Sequence, residues 1–363
     1  MGIKRDKRNI IYKNEKIVCD ATVFESIRKC KDQVYIWGNG SMAQFLKDTL
    51  LGNHIEVDGC LEGSTSEIQD ICKKMGRVAI VIGHGHYEKS LELASSPYVV
   101  NVFVVPRPYL QYRLTKEKFE KFEKDIDEIK EHLSDDISRE CLDIYRHIQK
   151  RDDITPLILH KNFVGDMFGF EKLYLTDGMN YSDIGAYDGD SIRLLQKYIK
   201  PGRIVAFEPD EDSFEKLEKF ISANERMNAI KKGVSSKKGK LYLVNAGTQS
   251  AKLVAQEEIS DDAYDELKTD YIELTTVDEE FPNKDIDLLK VSIPGDYTGT
   301  IVGARETIME KRPKLIVNVG VDGSCILEAI RIIKSCYERY SIYLRYDFCM
   351  STRLFLYAVE ESV

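Results

Sequence analysis

The residues best suited to chemistry lie in the acidic, glycine-containing segment DIGAYDGD at 183–190, which overlaps the end of a predicted strand at 181–184. A second predicted strand, the apolar run at 204–207, is followed by Glu208 and Pro209. Glycines let a backbone approach a ligand closely, and ligands of open α/β sheets bind at the carboxyl ends of strands. A carboxylate at the end of the second strand can accept hydrogen bonds from ribose hydroxyls. The pattern predicts an adenosine-type ligand, held by Asp183, Gly185, Ala186, Asp188, Gly189, Glu208 and Pro209.

The acidic residues of this segment indicate which adenosine-type ligand binds there. The turn reads D-x-G-x-x-x-G rather than the G-x-G-x-x-G that seats a pyrophosphate. Carboxylates repel diphosphates and attract a ligand that carries an ammonium and a sulfonium. S-adenosylmethionine is therefore the expected cofactor, and a tight turn with solvated acids is the alternative.

Asp188 and Asp190 also suit a Mg²⁺ or Ca²⁺ site, because hard cations prefer oxygen ligands. We favour helix capping and cofactor binding. Asp190 comes directly before the apolar-periodic stretch SIRLLQKYI, where an acid satisfies free backbone N–H groups. No metal site is predicted.

Four segments within 165–360 resemble the FkbM family of S-adenosylmethionine-dependent methyltransferases. They read DIGAYDGDS at 183–191, VAFEPDEDSFEKL at 205–217, DLLKVSIPG at 287–295 and GARETIMEKRPKL at 303–315. The resemblance implies a class I methyltransferase-like Rossmann fold with a seven-stranded, mainly parallel sheet. It also implies O-methylation, often of sugars or other hydroxylated natural products.

The fourth-strand motif departs from the family pattern K-x-D-x-E-G-x-E. This chain reads Lys290-Val-Ser292-Ile-Pro294-Gly295-Asp296-Tyr297, which keeps the lysine and glycine and lacks the three carboxylates. Serine is a poor general base and proline offers no side-chain hydrogen bond. The candidate catalytic residues are Lys290, Ser292 and Asp296, with Tyr297, Tyr346 and Asp347 as further possibilities.

All six histidines precede residue 161, so the C-terminal region has no histidine base or ligand of its own. Methyl transfer needs little base assistance where positioning supplies much of the acceleration. The predicted function is O-methylation of a hydroxyl on a saccharide or glycan precursor. The alternatives are a catalytically degenerate binding or scaffold protein and the transfer of a different group from the same cofactor.

The elements that position these residues alternate between strands and helices, which predicts an α/β fold class. Residues 1–112 form a smaller Rossmann-like domain, in which GNGSMA at 38–43 follows a strand and Glu62 ends the next strand. A dinucleotide oxidoreductase centred on Gly38 is an outside alternative, and structural packing is favoured. The pair His84 and His86 is interpreted as part of a polar loop rather than a zinc site.

Residues 113–160 are predicted to form a helical connector, and residues 161–363 the methyltransferase-like domain. Apolar residues at 119, 122, 126, 129 and 133 give the connector one apolar face. Packing within the chain is the favoured role of this face, and a homodimer through it is the alternative.

Composition narrows the class of partner. The net charge of −9 disfavours nucleic acid, and no apolar run is long enough for a membrane span. Eight scattered cysteines without a C-x-x-C pair predict reduced, mostly buried thiols. We therefore expect a cytoplasmic protein that acts on a small molecule or a glycan.

Overall fold

The computed structural model describes residues 16–18, 22–38, 40–82, 89–105, 113–151, 156–157, 160, 162–222, 224–244, 252–255, 271–347 and 353–360. His84 and His86 lie outside the described residues. The chain divides into two compact units whose segments interleave along the sequence. The first comprises 1–123, 139–166 and 346–354, and the second comprises 124–138, 167–345 and 355–363. The domain boundaries at 112/113 and 160/161 stay predictions.

The first unit is built on a five-stranded parallel sheet in the order β1-β5-β4-β2-β3. Its strands are β1 (Ile17–Val18), β2 (Gln33–Trp37), β3 (Gly59–Leu61), β4 (Val78–Ile82) and β5 (Val99–Val104). The helices between them are α1 (Val23–Lys29), α2 (Gly40–Gly52), α3 (Thr65–Met75) and α4 (Ser90–Ser95). Every residue of β4 is buried, as expected for a strand inside a parallel sheet.

Trp37 belongs to the core of the first unit. Its ring is buried at the end of β2, and its Nε1 donates a hydrogen bond to the carbonyl of Gly63 at 2.9 Å. A buried indole with a satisfied N–H is a packing residue rather than a stacking platform.

The predicted connector consists of two helices, α5 (Lys116–His132) and α6 (Asp136–Arg151). The predicted apolar face is confirmed, since Phe122, Ile126, Ile129 and Leu133 are buried within the chain and Phe119 is half-buried. This face is already covered inside the monomer.

The second unit contains a seven-stranded sheet in the order β15-β16-β14-β13-β6-β7-β8. The strands are β6 (Tyr181–Ile184), β7 (Ile204–Phe207), β8 (Met227–Ile230), β13 (Leu288–Val291), β14 (Lys314–Asn318), β15 (Tyr340–Tyr346) and β16 (Leu354–Glu360). Strand β16 runs antiparallel to β14, while β14, β13, β6, β7 and β8 pair in parallel. The expected seven-stranded, mainly parallel sheet is confirmed.

Helices of the second unit follow most of these strands. They are α7 (Asp190–Leu195), α8 (Glu211–Ile221), α9 (Val277–Glu280), α10 (Tyr297–Val302), α11 (Arg305–Lys311) and α12 (Ile326–Cys336). Among the described residues, none of the helices combines the length and the apolar content needed to cross a bilayer.

A second sheet of four strands lies in the same unit, in the order β11-β10-β12-β9. Its strands are β9 (Gly233–Val234), β10 (Gly239–Val244), β11 (Lys252–Ala255) and β12 (Tyr271–Thr275). From the sequence alone, we predict one strand over 228–234. That prediction was wrong, because β8 belongs to the large sheet and β9 to the small one, so the chain changes sheets at Lys231 and Lys232.

The described cysteines are free thiols, but only Cys72 and Cys141 are buried. Cys30, Cys325 and Cys336 are partly exposed and Cys60 is exposed. The expectation of mostly buried thiols is therefore wrong.

Candidate functional site

The candidate site begins at Asp183, a fully buried carboxylate in β6. One of its oxygens accepts a hydrogen bond from Lys290 Nζ at 2.7 Å, and the other accepts one from the hydroxyl of Ser191. Strands β6 and β13 pair directly, with Asp183 opposite Lys290. Because a buried charge is tolerated only when it is paired and hydrogen-bonded, this pair accounts for both side chains.

Lys290 makes a second hydrogen bond within the same cluster. Its Nζ also donates to the carbonyl of Gly185 at 2.7 Å, and the residue is 3% exposed. The lysine therefore joins the end of β13 to the turn after β6. In this structure the residue holds the turn in place, whereas the sequence proposed it as a catalytic residue.

The turn after β6 depends on Gly185. Its φ is +78°, and an added Cβ would overlap the carbonyl oxygen of Ser292. The backbone N–H groups of Gly185 and the buried Ala186 both donate to the carbonyl of Phe207 at 3.0 Å. A residue without a side chain is thus required where β6, β7 and the end of β13 approach one another.

Helix α7 begins one residue earlier than its apolar pattern suggests. Gly189, at φ +86°, is the residue before the helix, and Asp190 is its first residue. The proposed capping by Asp190 is therefore corrected: its carboxylate accepts the N–H of Ser191 at 2.7 Å from inside the helix. An acid in the first turn is still favourable to the helix dipole.

Asp188 forms a local ion pair at the edge of the turn. Arg193 Nη2 donates to Asp188 Oδ1 at 2.6 Å, and Arg193 Nη1 donates to the carbonyl of Asp188 at 2.9 Å. Both side chains are about one-third or more exposed. Within the described residues, no cluster of three or more His, Cys, Asp or Glu side chains could hold a metal ion.

Glu208 is a buried carboxylate at the carboxyl end of β7. Its two oxygens accept backbone N–H groups, from Tyr187 at 2.8 Å and from Asp210 at 3.0 Å. Burial raises the pKa of Glu208, and the two backbone hydrogen bonds oppose that rise. Each oxygen keeps further acceptor capacity, so the group can also receive two ligand hydroxyls.

Tyr187 links this carboxylate to the turn in a conformation that is uncommon for an aromatic residue. Its φ is +51°, its N–H donates to Glu208, and its side chain is 56% exposed. Pro209 follows Glu208 and is half-buried. Strained backbone positions of this kind cluster at functional sites.

The carboxyl ends of β13 and β14 carry two polar side chains that contact each other. Asn318 is the last residue of β14, and its Nδ2 donates to Ser292 Oγ at 3.3 Å. The N–H of Ser292 donates to the carbonyl of Ile184 at 3.0 Å. Ser292 therefore lies between the β6 turn and Asn318.

Asp296 and Tyr297 have structural roles at the start of α10. Asp296 is the capping residue, and its Oδ1 accepts the N–H of Gly299 at 2.9 Å and the hydroxyl of Thr298 at 2.5 Å. Tyr297 is buried, and its hydroxyl donates to the carbonyl of Asp322 at 2.7 Å. The proposed catalytic Asp296 thus stabilises a helix terminus.

Sequence reasoning missed two residues of this cluster, Ser191 and Asn318. Ser191 was included only as part of a helix, although a hydroxyl eight residues after a buried strand acid can fold back onto it. Asn318 carried a usable signal, because a polar residue that ends the apolar run KLIVN stands at the edge where ligands bind.

Residues 183–337 match the family model described as the methyltransferase FkbM domain. No curated protein sequence matches the chain significantly. The segment that carries the site is therefore similar to an FkbM methyltransferase domain. This match supports S-adenosylmethionine-dependent methyltransferase activity and, with it, S-adenosylmethionine as the methyl donor.

A solved methyltransferase structure has the same fold as this chain. The crystal structure of methyltransferase FkbM from Methylobacillus flagellatus KT aligns with a TM-score of 0.58 at 16% identity, covering 93% of each chain. Precorrin-6y C5,15-methyltransferase from Geobacter metallireducens GS-15 gives 0.31 at 12% identity, covering 53% of this chain and 84% of that one. Aeropyrum pernix fibrillarin with bound S-adenosyl-L-methionine gives 0.30 at 12% identity, covering 51% and 67%. The last two likenesses are too distant to support an argument.

Proposed function

We propose that the second unit binds S-adenosylmethionine between the β6 turn and Glu208 and methylates a hydroxyl of a saccharide or glycan precursor. The observation that carries this proposal is the buried carboxylate of Glu208 at the end of β7, joined through Tyr187 to the glycine turn after β6. The acceptor class comes from the family resemblance alone.

The residues of the turn fit such a cofactor. Glu208 retains acceptor capacity for the two ribose hydroxyls, and the acids of the turn favour a ligand that is cationic rather than a diphosphate. Gly185, Ala186 and Gly189 bring backbone rather than side chains to the cofactor. Asp183 and Lys290 act beneath the turn and fix its position. The bound cofactor supplies a methyl group that is already activated for transfer.

Among the residues that the structure describes, the acceptor side has no obvious base. Ser292 is the proposed acceptor-side residue at the end of β13, while Lys290 and Asp296 are engaged in the contacts described above. Transfer would then depend on the positioning of the acceptor, with its proton released to solvent. Enclosure and orientation of the acceptor hydroxyl would provide most of the acceleration.

A catalytically degenerate binding protein is the second candidate, and one observation favours it. Positions 292, 294 and 297 hold Ser, Pro and a buried Tyr, so the carboxylates of the family motif are missing there. This candidate predicts cofactor binding without turnover.

Calorimetric titration with S-adenosylmethionine tests the binding site. We expect Glu208→Gln to raise Kd at least about tenfold, because a charged acceptor of ribose hydroxyls contributes about 1.5 to 3 kcal/mol for each hydrogen bond. Asp212→Asn removes an exposed acid from the first turn of α8 and serves as the matched control, with less than about a twofold change expected. A Kd for Glu208→Gln within about threefold of the wild-type value would contradict the assignment.

Product analysis separates the two candidates. The protein is incubated with S-adenosylmethionine and a panel of free and nucleotide-linked sugars, and products are analysed by mass spectrometry. A methyl ether adds about 14 Da, which transfer of another group would not reproduce. Saturable cofactor binding with no product from any hydroxylated acceptor would favour the degenerate candidate.

A further inference from the structure

Three neighbouring strands of the large sheet bring Asn318 to the edge that carries the proposed cofactor site. Strand β13 pairs in parallel with β6 on one side and with β14 on the other. Asp183 lies in β6, Ser292 directly follows β13, and Asn318 ends β14. Because parallel strands end at one edge, the amide of Asn318 lies two strands from the turn that would hold the cofactor.

The amide of Asn318 is only half satisfied. The residue is 7% exposed, and its Nδ2 donates to Ser292 Oγ at 3.3 Å. Within the described residues, Oδ1 of Asn318 has no hydrogen-bond partner. The short helical turn Val319–Val321 begins directly after Asn318, but the Asn318 side chain does not cap it.

A buried amide oxygen without a partner is costly, at about 1 to 3 kcal/mol. Native proteins keep few such atoms, and each calls for an explanation such as a bound water or a ligand. The Asn318 oxygen stands at the sheet edge where ligands of this fold bind, which favours a ligand as the missing partner.

We propose that Asn318 is an acceptor-side binding residue, whose Oδ1 receives a hydrogen bond from the hydroxyl or amine donor of the group placed opposite the methyl donor. This inference rests on the proposed function. Nδ2 of the same amide donates to Ser292 Oγ at 3.3 Å, which leaves Oδ1 for the acceptor group. A neutral amide removes no proton, so Asn318 orients the acceptor and leaves its deprotonation to solvent.

Two cofactor analogues test this role without knowledge of the acceptor. S-adenosylhomocysteine ends in a thioether, whereas sinefungin carries a charged amine where the methyl group would be. We expect Asn318→Leu to raise the Kd of sinefungin about tenfold and to change that of S-adenosylhomocysteine less than about twofold. Asn318→Asp places a carboxylate at the same position, and we expect it to increase the preference for sinefungin.

Asn180→Leu is the matched control, because Asn180 lies before β6 at the opposite edge of the sheet. Its Oδ1 accepts the N–H of Arg203 at 2.8 Å, so the variant loses a hydrogen bond far from the site. We expect both analogues to bind this variant with unchanged relative affinity. Calorimetry on the full chain provides every Kd.

An unchanged ratio of the two affinities in both Asn318 variants would overturn the inference, and so would an equal loss of both ligands. Failure of the wild-type chain to bind S-adenosylhomocysteine is a different result. That outcome would contradict the proposed function itself.

Discussion

Asp347 is a buried carboxylate outside the candidate cofactor site, and its environment shifts its titration. The residue is 3% exposed, and its Oδ2 accepts hydrogen bonds from Arg353 Nε at 2.9 Å and Nη2 at 2.6 Å. Burial raises the pKa of Asp347 to about 6, and Arg353 limits that rise. Asp166 adds a further, smaller upward contribution.

The raised pKa of Asp347 predicts a pH-dependent free energy of unfolding. Between the unfolded value of about 4 and the folded value of about 6, the folded state keeps a proton that the unfolded state has lost. The contribution of Asp347 to stability is therefore present below about pH 4 and is lost as pH rises through about 6. Asp347→Asn stays neutral, so its stability relative to wild type should increase by roughly 2 to 3 kcal/mol over this range.

Urea unfolding of both proteins at intervals between about pH 4 and pH 7.5 measures the difference. Asp210→Asn is the control, because hydrogen bonds from Ser213 lower the pKa of that exposed carboxyl, so its contribution to stability should change little above about pH 5. A stability difference for Asp347→Asn that stays constant across this pH range would contradict the prediction.

At the scale of single residues, the sequence identifies the residues of the candidate site better than it identifies the contacts that they make. Asp183, Gly185 and Glu208 do meet at the ends of β6 and β7, because strand-end positions follow from the apolar pattern. The pairing of Lys290 with Asp183 joins residues that are far apart in sequence, and it depends on the register of β13 against β6. Local sequence pattern does not encode that register, so the contact between Lys290 and Asp183 could not be predicted, and the catalytic role of Lys290 stays a prediction.

At the scale of elements, the turn between β6 and α7 tolerates no side chain at its first glycine. Gly185 has φ +78°, and an added Cβ would overlap the Ser292 carbonyl. Gly178, at φ +90°, has no atom within 4 Å of an added Cβ and is the matched control. Both alanine variants incur the left-handed penalty of about 1 to 2 kcal/mol.

Gly185→Ala should therefore destabilise the protein by about 1 to 3 kcal/mol more than Gly178→Ala, because backbone must move to relieve the overlap. It should also weaken S-adenosylhomocysteine binding, whereas Gly178→Ala should not. Thermal unfolding and calorimetry measure the two effects. Equal destabilisation by both substitutions would show that the turn can relax around the added methyl group.

Buried strands of the large sheet were predictable from the sequence. The strands at which the chain passes from the large sheet to the small sheet were not. Strands β6 and β7 are buried throughout, and their bounds match the segments 181–184 and 204–207 that the sequence indicates. Strand β11 was missed, and β8 and β9 were merged, because the small sheet owes its pairing to contacts between distant segments rather than to local periodicity.

At the scale of the whole molecule, the second unit includes residues 124–138, which precede the predicted boundary at 160/161. The N–H of Ser134 donates to the carbonyl of Ile342 in the outer strand β15 at 2.9 Å, and the Ser134 hydroxyl accepts the N–H of Ile342 at 2.9 Å. Leu133 forms a parallel bridge with Ile342. Asp135 binds the guanidinium of Arg345 through both of its oxygens, at 2.5 and 3.2 Å. Burial alone would raise the pKa of Asp135, but Arg345 and Ser138 hold it below its usual range.

These contacts predict that a fragment starting at residue 161 is an incomplete unit. Without residues 124–138, the outer edge of β15 has no covering segment. Arg345, which is buried at 5% exposure, also loses its carboxylate partner Asp135. Exposed edges promote aggregation, and an unpaired buried charge costs about 3 to 5 kcal/mol. We expect fragment 161–363 to aggregate or to unfold without a cooperative transition, and fragment 113–363 to be the more stable of the two.

Expression of both fragments and their thermal unfolding, followed by circular dichroism, measures this difference. Asp135→Ala in the full chain removes the ion pair with Arg345 and leaves the helices in place. It should lower the melting temperature by several degrees, because about 1 kcal/mol corresponds to roughly 2 to 4 °C in domains of about 150 to 250 residues. Lys197→Met removes an exposed charge elsewhere in the unit and should have little effect. If fragment 161–363 melts cooperatively at the temperature of fragment 113–363, residues 124–138 are dispensable, and the boundary at 160/161 is a true domain boundary.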